Sequence, residues 1–190
     1  MSDHYFSAEP SSALTRLPVS AQVWGHRLDL VSASGVFAAG RVDIGTSVLF
    51  RSTAPPGTGT TYLDLGCGYG LIACALAAAR PEATVWGVDI NERALQLTAE
   101  NARRIGAHDR VRVSLPDAVP ANVEFDQLWS NPPIRIGKPA LHALLLRWLA
   151  RLAPEGRAVL VVGRNLGADS LQRWLRDQGY ESGRLAAAKG

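Results

Sequence analysis

Alternating glycines after a short apolar segment are the feature of this sequence that most directly indicates a ligand site. The run Asp64-Leu65-Gly66-Cys67-Gly68-Tyr69-Gly70 lies between a predicted strand and a predicted helix, which is where open α/β sheets bind ligands. Its glycines let the backbone turn sharply and approach a ligand closely. The Asp64 carboxylate suits a cationic group, such as the amino group of a methionine moiety, and would oppose a pyrophosphate. The G-x-G-x-G spacing also differs from the G-x-G-x-x-G of dinucleotide enzymes. A tight turn without a ligand is the alternative.

Acidic residues after the next two predicted strands suggest how such a ligand is held. Asp89 ends the second strand, where an acid can accept hydrogen bonds from both ribose hydroxyls of an adenosine. Ile90 would pack on the adenine, and Asp117-Ala118 would flank it, with the Asp117 carboxylate available to the exocyclic amine. The alternatives are an acid stabilised by a helix dipole for Asp89 and an ordinary turn for Pro116-Asp117. The predicted cofactor-binding residues are Asp64, Gly66, Cys67, Gly68, Gly70, Asp89, Ile90, Asp117, Ala118 and Asn131.

The segment Asn131-Pro132-Pro133-Ile134 follows the fourth predicted strand and suits chemistry on an amine. The lone pair of an exocyclic amine is delocalised into its ring, which makes the nitrogen a poor nucleophile. The Asn131 side-chain oxygen and the Pro132 carbonyl can each accept one of its hydrogen bonds and favour a pyramidal nitrogen. The prolines keep the backbone extended, so catalysis would rest on positioning and on hydrogen bonds to a developing charge. A proline-stiffened loop is the alternative.

Taken in order, the glycine loop, Asp89 and Asn131-Pro132-Pro133 resemble class I amino-methyltransferases, which modify exocyclic or amide nitrogens. The run from Asn131 to Lys138 resembles the methyltransferase-small family more closely, and that family includes the C-type guanine-N2 methyltransferases of bacterial small-subunit ribosomal RNA. Gly35-Val36-Phe37 and His4-Tyr5-Phe6-Ser7 are similar to its N-terminal region. The resemblance implies S-adenosylmethionine as cofactor, S-adenosylhomocysteine as product, ribosomal RNA as partner and guanine N2 as acceptor.

One residue departs from the amino-methyltransferase pattern. Many of these enzymes carry Tyr, Phe or Trp after the two prolines, where the ring stacks on the target base, but this chain has Ile134. The stacking surface would then come from Phe37 or Tyr69, or from the planar guanidinium of Arg135; the alternative is a pocket that accepts a different group. Arg135 and Lys138 suit phosphate binding or are solvated loop charges. We therefore expect Phe37, Arg135 and Lys138 to bind substrate, and Asn131, Pro132, Pro133 and Ile134 to form the catalytic segment.

The elements that position these residues alternate between strand and helix. The predicted strands are 62–65, 84–89, 110–113, 125–129 and 158–162, and the predicted helices are 70–80, 92–105, 138–152 and 170–178. This alternation predicts a Rossmann-like open, mostly parallel sheet with helices on both faces. The residues after Gly179 suffice for one more strand, so we expect six strands or a gap at the sheet edge, where another chain could pair.

Three regions follow from the same pattern. Residues 1–53 are predicted as an irregular arm over 1–20 followed by a small β-hairpin extension over 21–33 that turns at Gly25. Residues 54–60, rich in Pro, Gly and Thr, are predicted as a linker. Residues 61–190 are predicted as the S-adenosylmethionine-binding core.

Composition excludes several other classes of protein. The net charge of +3 is compatible with a nucleic-acid substrate, although many enzymes are as basic. Cys67 and Cys74, the two cysteines, lie too far apart on a predicted helix for a disulfide, so a cytoplasmic location is expected. No metal-ligand spacing is present, the N-terminus lacks the pattern of a signal peptide, and the longest apolar run, 71–79, is too short for a bilayer. We therefore expect no metal and no membrane, and the oligomeric state stays open.

Other functions remain possible at this point. An amino-methyltransferase for protein glutamine or DNA adenine shares the Asn-Pro-Pro chemistry, although both typically show an aromatic residue after it. A nicotinamide-dependent dehydrogenase would need a different loop spacing. A non-enzymatic adenosyl-binding module in a larger assembly is a further alternative.

Overall fold

The structure, a computed structural model, describes residues 15–163 and 167–186. Its strands are β1 (Arg16–Val23), β2 (His26–Ala33), β3 (Thr61–Leu65), β4 (Thr84–Val88), β5 (Val111–Ser114), β6 (Phe125–Ser130) and β7 (Leu152–Leu160). Its helices are α1 (Ile44–Arg51), α2 (Leu71–Ala79), α3 (Glu92–Arg104), α4 (Lys138–Leu149) and α5 (Ala168–Asp177). Short 3-10 turns occupy Pro116–Ala118 and Ile134–Ile136. His4-Tyr5-Phe6-Ser7 lie outside the described residues.

The described residues form a five-stranded sheet in the order β5-β4-β3-β6-β7, and every pair of neighbours is parallel. Successive strands run outward from β3 in one direction to β5 and in the other direction to β7. The order therefore reverses between β3 and β6, and ligands of open α/β sheets bind beyond the carboxyl ends of the strands at such a reversal. The loops after β3, β4 and β6 all reach this edge.

Apolar residues alternate along the sheet to build a core on each face. One hydrophobic cluster joins α1, α2, α3 and the β1–β2 hairpin to one side of the sheet, and a second joins α4 and α5 to the other side. In β3, Tyr62 belongs to the first cluster, whereas Leu63 and Leu65 belong to the second, as the two-residue period of a strand requires. The Rossmann-like arrangement with helices on both faces is confirmed.

The N-terminal hairpin is longer than expected. β1 begins at Arg16, so the expectation of an irregular arm as far as residue 20 was wrong for residues 16–20. Pro18, which has no backbone N–H, lies opposite Val31 in the hairpin. The N–H and C=O of Val31 bond to Asn101 rather than to β1. The pairing therefore needs no N–H from residue 18. The Trp24-Gly25 turn has positive φ at both residues, 47° and 87°, as a two-residue hairpin turn of this hand requires.

Asn101 of α3 ties this hairpin to the core. Its Oδ1 accepts from Val31 N (2.8 Å), and its Nδ2 donates to Val31 O (2.8 Å) and to Tyr69 O (2.7 Å). The Asn101 side chain is fully buried, so an unpaired amide there would be costly. One buried amide thus joins β2, α3 and the glycine loop.

Several element boundaries differ from the predicted ones. α1 was not predicted. α4 ends at Leu149 rather than at residue 152 because Leu152 already pairs with Phe125 of β6. The pairing then skips from Phe125↔Leu152 to Gln127↔Arg157, which leaves residues 153–156 bulged, with Glu155 at φ 63°. Residues 180–186 form no strand, so the described sheet has one strand fewer than the six expected.

Candidate active site

The glycine loop turns between β3 and α2 through a set of left-handed residues. Gly66, Gly68 and Gly70 have φ values of 74°, 56° and 84°, which side chains rarely permit. The N–H groups of Gly66 and Cys67 donate to Val88 O at 2.8 Å and 3.1 Å, so the loop is attached to the end of β4. The alternating glycines identified in the sequence therefore form a tight turn at the ligand-binding edge of the sheet.

Thr98 of α3 supports this loop from below and explains why Gly70 must be glycine. A Cβ at Gly70 would lie 2.7 Å from Thr98 Oγ1 and 3.0 Å from its backbone Cα. The Thr98 hydroxyl lies 3.1 Å from Gly68 O and 3.4 Å from Cys67 Sγ, and burial raises the pKa of the Cys67 thiol well above its ordinary value. Cys67 is therefore buried with a neutral thiol, and its cofactor-binding role stays a prediction. Cys67 and Cys74 are both free.

Asp89 follows β4 and faces the glycine loop. Its Oδ2 accepts from Gly68 N (2.9 Å) and its Oδ1 from Asn91 N (3.0 Å). Burial raises the pKa of this carboxyl, while its backbone hydrogen bonds act in the opposite direction. Ile90 beside it is 47% exposed, which leaves an apolar surface next to an oriented acid. Asn91 accepts from Arg93 N and Ala94 N and so caps α3.

Asp64 lies within β3 and is fully buried rather than at an open strand tip. Its Oδ2 accepts from Ala73 N (2.9 Å), so it caps α2, whose N-cap residue Gly70 offers no side chain. Its Oδ1 is buried and has no hydrogen-bond partner among the described residues. Desolvation, with a smaller contribution from Asp89, raises the pKa of Asp64 to about 8. A cation brought near Oδ1 would favour the ionised form.

The 3-10 turn after β5 carries Asp117 and Ala118, both exposed. Arg147 of α4 donates to Asp117 Oδ1 and to Pro116 O, each at 2.8 Å. One carboxylate oxygen of Asp117 is therefore engaged by a neighbouring helix, while Pro116 borders the cleft described below. The adenine-flanking role of Asp117 and Ala118 stays a prediction.

Asn131 lies directly beside the glycine loop. Ser130, the last residue of β6, is buried and donates its hydroxyl to Leu65 O (2.6 Å), so the ends of β6 and β3 are held together. The Asn131 amide nitrogen donates to Asp43 Oδ2 and Thr46 Oγ1, both at the start of α1. Its Oδ1 accepts no hydrogen bond within the described part of the chain. The predicted acceptor atom is thus available next to the loop.

The two prolines shape the segment that follows. Pro133 has φ −74° and ψ 74°, the geometry of an inverse γ-turn, and Ile134 N donates to Pro132 O (2.8 Å). A carbonyl oxygen has two lone pairs, so Pro132 O can accept one further hydrogen bond. Ile134 packs against the hydrophobic cluster under α4 and anchors the segment. A backbone turn, rather than a simple extended strand, presents the Pro132 carbonyl.

One continuous cleft joins these groups. It is bordered by Gly66, Gly68, Asp89 and Ile90 on one side and by residues 131–136 on another. Phe37, which is 39% exposed, borders it from the segment after the hairpin, and so does the exposed Arg135. Lys138 lies at the start of α4, outside the cleft lining. The structure therefore brings together most of the predicted site. It leaves Lys138, Asp117 and Ala118 outside the cleft lining and buries Asp64 away from it.

The sequence did not predict that α1, in the N-terminal extension, borders the cleft. Asp43 caps α1 by accepting from Thr46 N. The side chains of Asp43 and Thr46 both accept hydrogen bonds from the Asn131 amide nitrogen. An Asp followed by an apolar-periodic segment is a helix-start signal, so α1 could have been found at residues 43–51. The contact between Asp43 and Asn131, 88 positions apart in the sequence, carries no local signal.

Comparison with known proteins assigns the family. Residues 27–181 match the methyltransferase small domain, a span that includes the glycine loop, Asp89, Asn131 and α1. The chain belongs to the methyltransferase small domain family. The resemblance seen in the sequence is thereby confirmed.

Relatives in this family include ribosomal RNA methyltransferases. The chain is 35% identical over 179 residues to the uncharacterized protein YbxB of Bacillus subtilis, covering 90% of this chain and 86% of that protein. It is 38% identical over 145 residues to ribosomal RNA small subunit methyltransferase C of Hahella chejuensis, covering 73% and 41%. The solved Thermus thermophilus 16S rRNA N2 G1207 methyltransferase RsmC, in complex with AdoMet and guanosine, matches with a TM-score of 0.73 and 26% identity, covering 86% and 46%. The chain thus spans less than half of these two rRNA methyltransferases.

The family and the fold make this chain a class I S-adenosylmethionine-dependent methyltransferase, and its residues fit that cofactor. The buried Asp64 Oδ1 lacks a partner among the described residues, the space above Gly66 is open, and an exposed Ile90 adjoins Asp89. These features suit a cationic amino group, close backbone approach, and a ribose with its adenine. Within residues 15–163 and 167–186 we find no cluster of His, Cys, Asp or Glu suited to a metal. No helix there has the length and apolarity to cross a membrane.

Proposed function

We propose that this methyltransferase transfers the methyl group to an exocyclic amine, guanine N2 of ribosomal RNA. The observation that carries the proposal is the pair of unused acceptors in the segment after β6. Asn131 Oδ1 accepts no hydrogen bond within the described residues, and Pro132 O has one lone pair left. An amine has two N–H bonds to donate, so the two acceptors match it in number.

The cofactor-binding residues would lie along the opposite side of the cleft. The backbone of Gly66 and Gly68 would allow close approach of the methionine part, and Asp64 would favour its amino cation. Asp89 would accept hydrogen bonds from the ribose hydroxyls, and Ile90 would cover the adenine. Bound S-adenosylmethionine supplies an electrophilic methyl group on a sulfonium sulfur.

The residues after β6 would then act by positioning the acceptor. Hydrogen bonds to Asn131 Oδ1 and Pro132 O favour a pyramidal nitrogen and direct its lone pair toward the methyl group. Attack by this nitrogen on the methyl carbon would form the N–C bond and break the sulfonium S–C bond, with S-adenosylhomocysteine as the second product. The methylated nitrogen would then be cationic and acidic and would lose its proton to solvent. No general base is needed, in agreement with the absence of a free His, Asp or Glu in the 130–136 segment.

Two observations favour a base in RNA as the acceptor. The two rRNA methyltransferases named above share the family, and the solved one holds guanosine. Phe37 borders the cleft with a partly exposed ring, and Arg135 offers a planar cation; both can stack on a base. Together they replace the aromatic residue that Ile134 cannot supply. Arg135 and, farther out, Lys138 would hold phosphate.

The test is methyl transfer by the purified protein to unmodified ribosomal RNA, assembled ribosomal subunits, DNA and ribosomal protein, with nucleoside and peptide mass spectrometry of the products. We expect N2-methylguanosine from the RNA or subunit substrates. Asn131→Ala should reduce kcat by about 10²–10³, the usual effect of losing one transition-state hydrogen bond, and should weaken S-adenosylmethionine binding far less than that. Full activity in Asn131→Ala, or a product methylated on carbon or ribose oxygen, would refute the proposal. Transfer to DNA or protein alone would refute its RNA part.

A further inference from the structure

The Asn131 side chain is held by the first turn of α1. Its Nδ2 donates to Asp43 Oδ2 (2.8 Å) and to Thr46 Oγ1 (3.1 Å). The same Asp43 Oδ2 accepts from Thr46 N (3.2 Å) as the N-cap of α1. One carboxylate oxygen therefore caps the helix and receives the amide of the predicted catalytic residue.

The chemistry of a carboxylate decides which way this amide points. An ionised carboxylate only accepts hydrogen bonds, so the nitrogen of Asn131 must face Asp43. A flipped amide would place Asn131 Oδ1 against Asp43 Oδ2, and the two acceptors would repel each other. Thr46 cannot impose this choice, because a hydroxyl can donate as well as accept. Asp43 is thus the group that keeps Asn131 Oδ1 turned away from its own carboxylate and free to accept a hydrogen bond from the acceptor amine.

The absence of a side chain at Gly45 leaves room for the contact between Asp43 and Asn131. A Cβ at position 45 would lie 2.9 Å from Asp43 Oδ2, 3.3 Å from Asn131 Nδ2 and 3.4 Å from Asn131 Oδ1. Gly45 lies in the first turn of α1 without a positive φ, so its backbone conformation does not require glycine. Glycine is also among the weakest helix-forming residues, so helix formation does not explain its presence. We infer that glycine at position 45 is needed because a larger residue would crowd Asp43 and Asn131.

We propose that Asp43 is a positioning residue for methyl transfer. It holds the Asn131 amide in the orientation that presents Oδ1 to the acceptor amine. The charge-assisted hydrogen bond also polarises the amide, because donation from its nitrogen increases the electron density on its oxygen and makes it a stronger acceptor. The inference rests on the proposed role of Asn131 and adds the residue that controls it.

A purely structural role for Asp43 as a helix cap is the competing explanation, and substitutions at this position separate the two. Asp43→Ser keeps a good N-cap, but its shorter, neutral side chain does not reach Asn131. Asp43→Asn keeps an amide oxygen where Oδ2 lies, so both hydrogen bonds can persist while the charge is lost. We expect Asp43→Ser to reduce kcat about 10- to 100-fold, less than removal of a direct transition-state contact, and Asp43→Asn, which loses the charge but can keep both hydrogen bonds, to reduce kcat by a smaller factor. KM and the Kd for S-adenosylmethionine should stay near wild type in both.

A double-mutant cycle gives the deciding measurement. If Asp43 acts through Asn131, Asp43→Ser should change kcat less than about twofold when Asn131 is already replaced by alanine, because coupled residues are non-additive. Thermal unfolding of each variant shows whether the cap is preserved. Wild-type kcat in a folded Asp43→Ser variant, or the same fold-loss whether position 131 holds asparagine or alanine, would overturn the inference. Full activity of Asn131→Ala alone would instead refute the proposed function, so the two failures are distinguishable.

Discussion

Replacing Asp89 by alanine tests how the adenosine part of the cofactor is bound. In the described structure the carboxylate is already oriented, because Gly68 N and Asn91 N donate to its two oxygens. Each carboxylate oxygen can accept more than one hydrogen bond. Asp89 can therefore receive the two ribose hydroxyls without rearrangement of the loop.

The size of the effect follows from the groups that lose a partner. Asp89→Ala would leave ribose hydroxyls without their charged acceptor, and it would release Gly68 N from the carboxylate that holds the loop. Losing the partner of a polar group on burial costs about 1–3 kcal/mol. Since about 1.4 kcal/mol is tenfold in affinity, we expect S-adenosylmethionine to bind about 5- to 150-fold more weakly.

Isothermal titration with S-adenosylmethionine and S-adenosylhomocysteine measures this directly. Asp126→Ala is a matched control, because Asp126 also accepts two backbone N–H groups, from Thr60 at 2.7 Å and Thr61 at 3.0 Å. It does so at the start of β6, at the opposite end of the sheet from the ligand site. We expect the control to lose stability but keep its cofactor affinity. If Asp89→Ala binds the cofactor as tightly as wild type, the assignment of the ribose to Asp89 is wrong.

Two further predictions concern the stability of the cofactor-free protein. The pKa of Asp64 is near its ordinary value of 3.8 in the unfolded chain, and burial raises it to about 8 in the folded protein. Between these two values the folded state holds a proton that the unfolded state has lost. The free energy of unfolding should therefore fall as pH rises through this window, by up to about 1.4 kcal/mol per pH unit. The free energy of unfolding of Asp64→Asn, measured in urea, should lack this dependence on pH. If the wild-type and variant free energies change in parallel from pH 5 to 8, the burial argument is contradicted. Gly70→Ala should destabilise by about 2–5 kcal/mol, from the left-handed backbone and the overlap with Thr98. Gly25 has a φ of 87° and open space around it, so Gly25→Ala should lose only the stability that the left-handed backbone costs, about 1–2 kcal/mol. If the two variants lose equal stability, the overlap with Thr98 is excluded as a cause.

The local parts of the site were predictable because their signals lie within short segments. Glycines at 66, 68 and 70 require a tight turn, and Pro81 after a run of apolar residues ends α2. Asn91 before a polar-apolar periodic segment predicts the α3 cap that the structure contains. The order of strand, loop and acid then places Asp89 near the loop, since carboxyl ends of parallel strands share one edge of the sheet.

The parts that were missed depend on contacts between distant segments. β1 extends through Pro18 because the hairpin pairs its N–H-deficient position with Val31, whose own backbone groups bond to Asn101 of α3. The bulge in β7 depends on the register against β6. The full burial of Asp64 depends on its hydrogen bond to Ala73 at the start of α2. Propensity and periodicity describe none of these pairings.

Hydrogen bonds join residues that precede the predicted linker, 54–60, to residues that follow it, and they hold the segment that contains Asp43 beside Asn131. Asn101 fastens β2 to α3, and Asn91 Nδ2 donates to Gly35 O (2.9 Å) just after the hairpin. Tyr69 of the glycine loop donates its hydroxyl to Arg41 O (3.1 Å), two residues before Asp43. The segment from the hairpin to α1 is therefore held by the same helix and loop that would bind the cofactor. Asp43 at the end of this segment accepts a hydrogen bond from the Asn131 amide, so both sides of the cleft share one support. Under the proposed mechanism, a change in the hairpin should therefore alter the position of the acceptor amine.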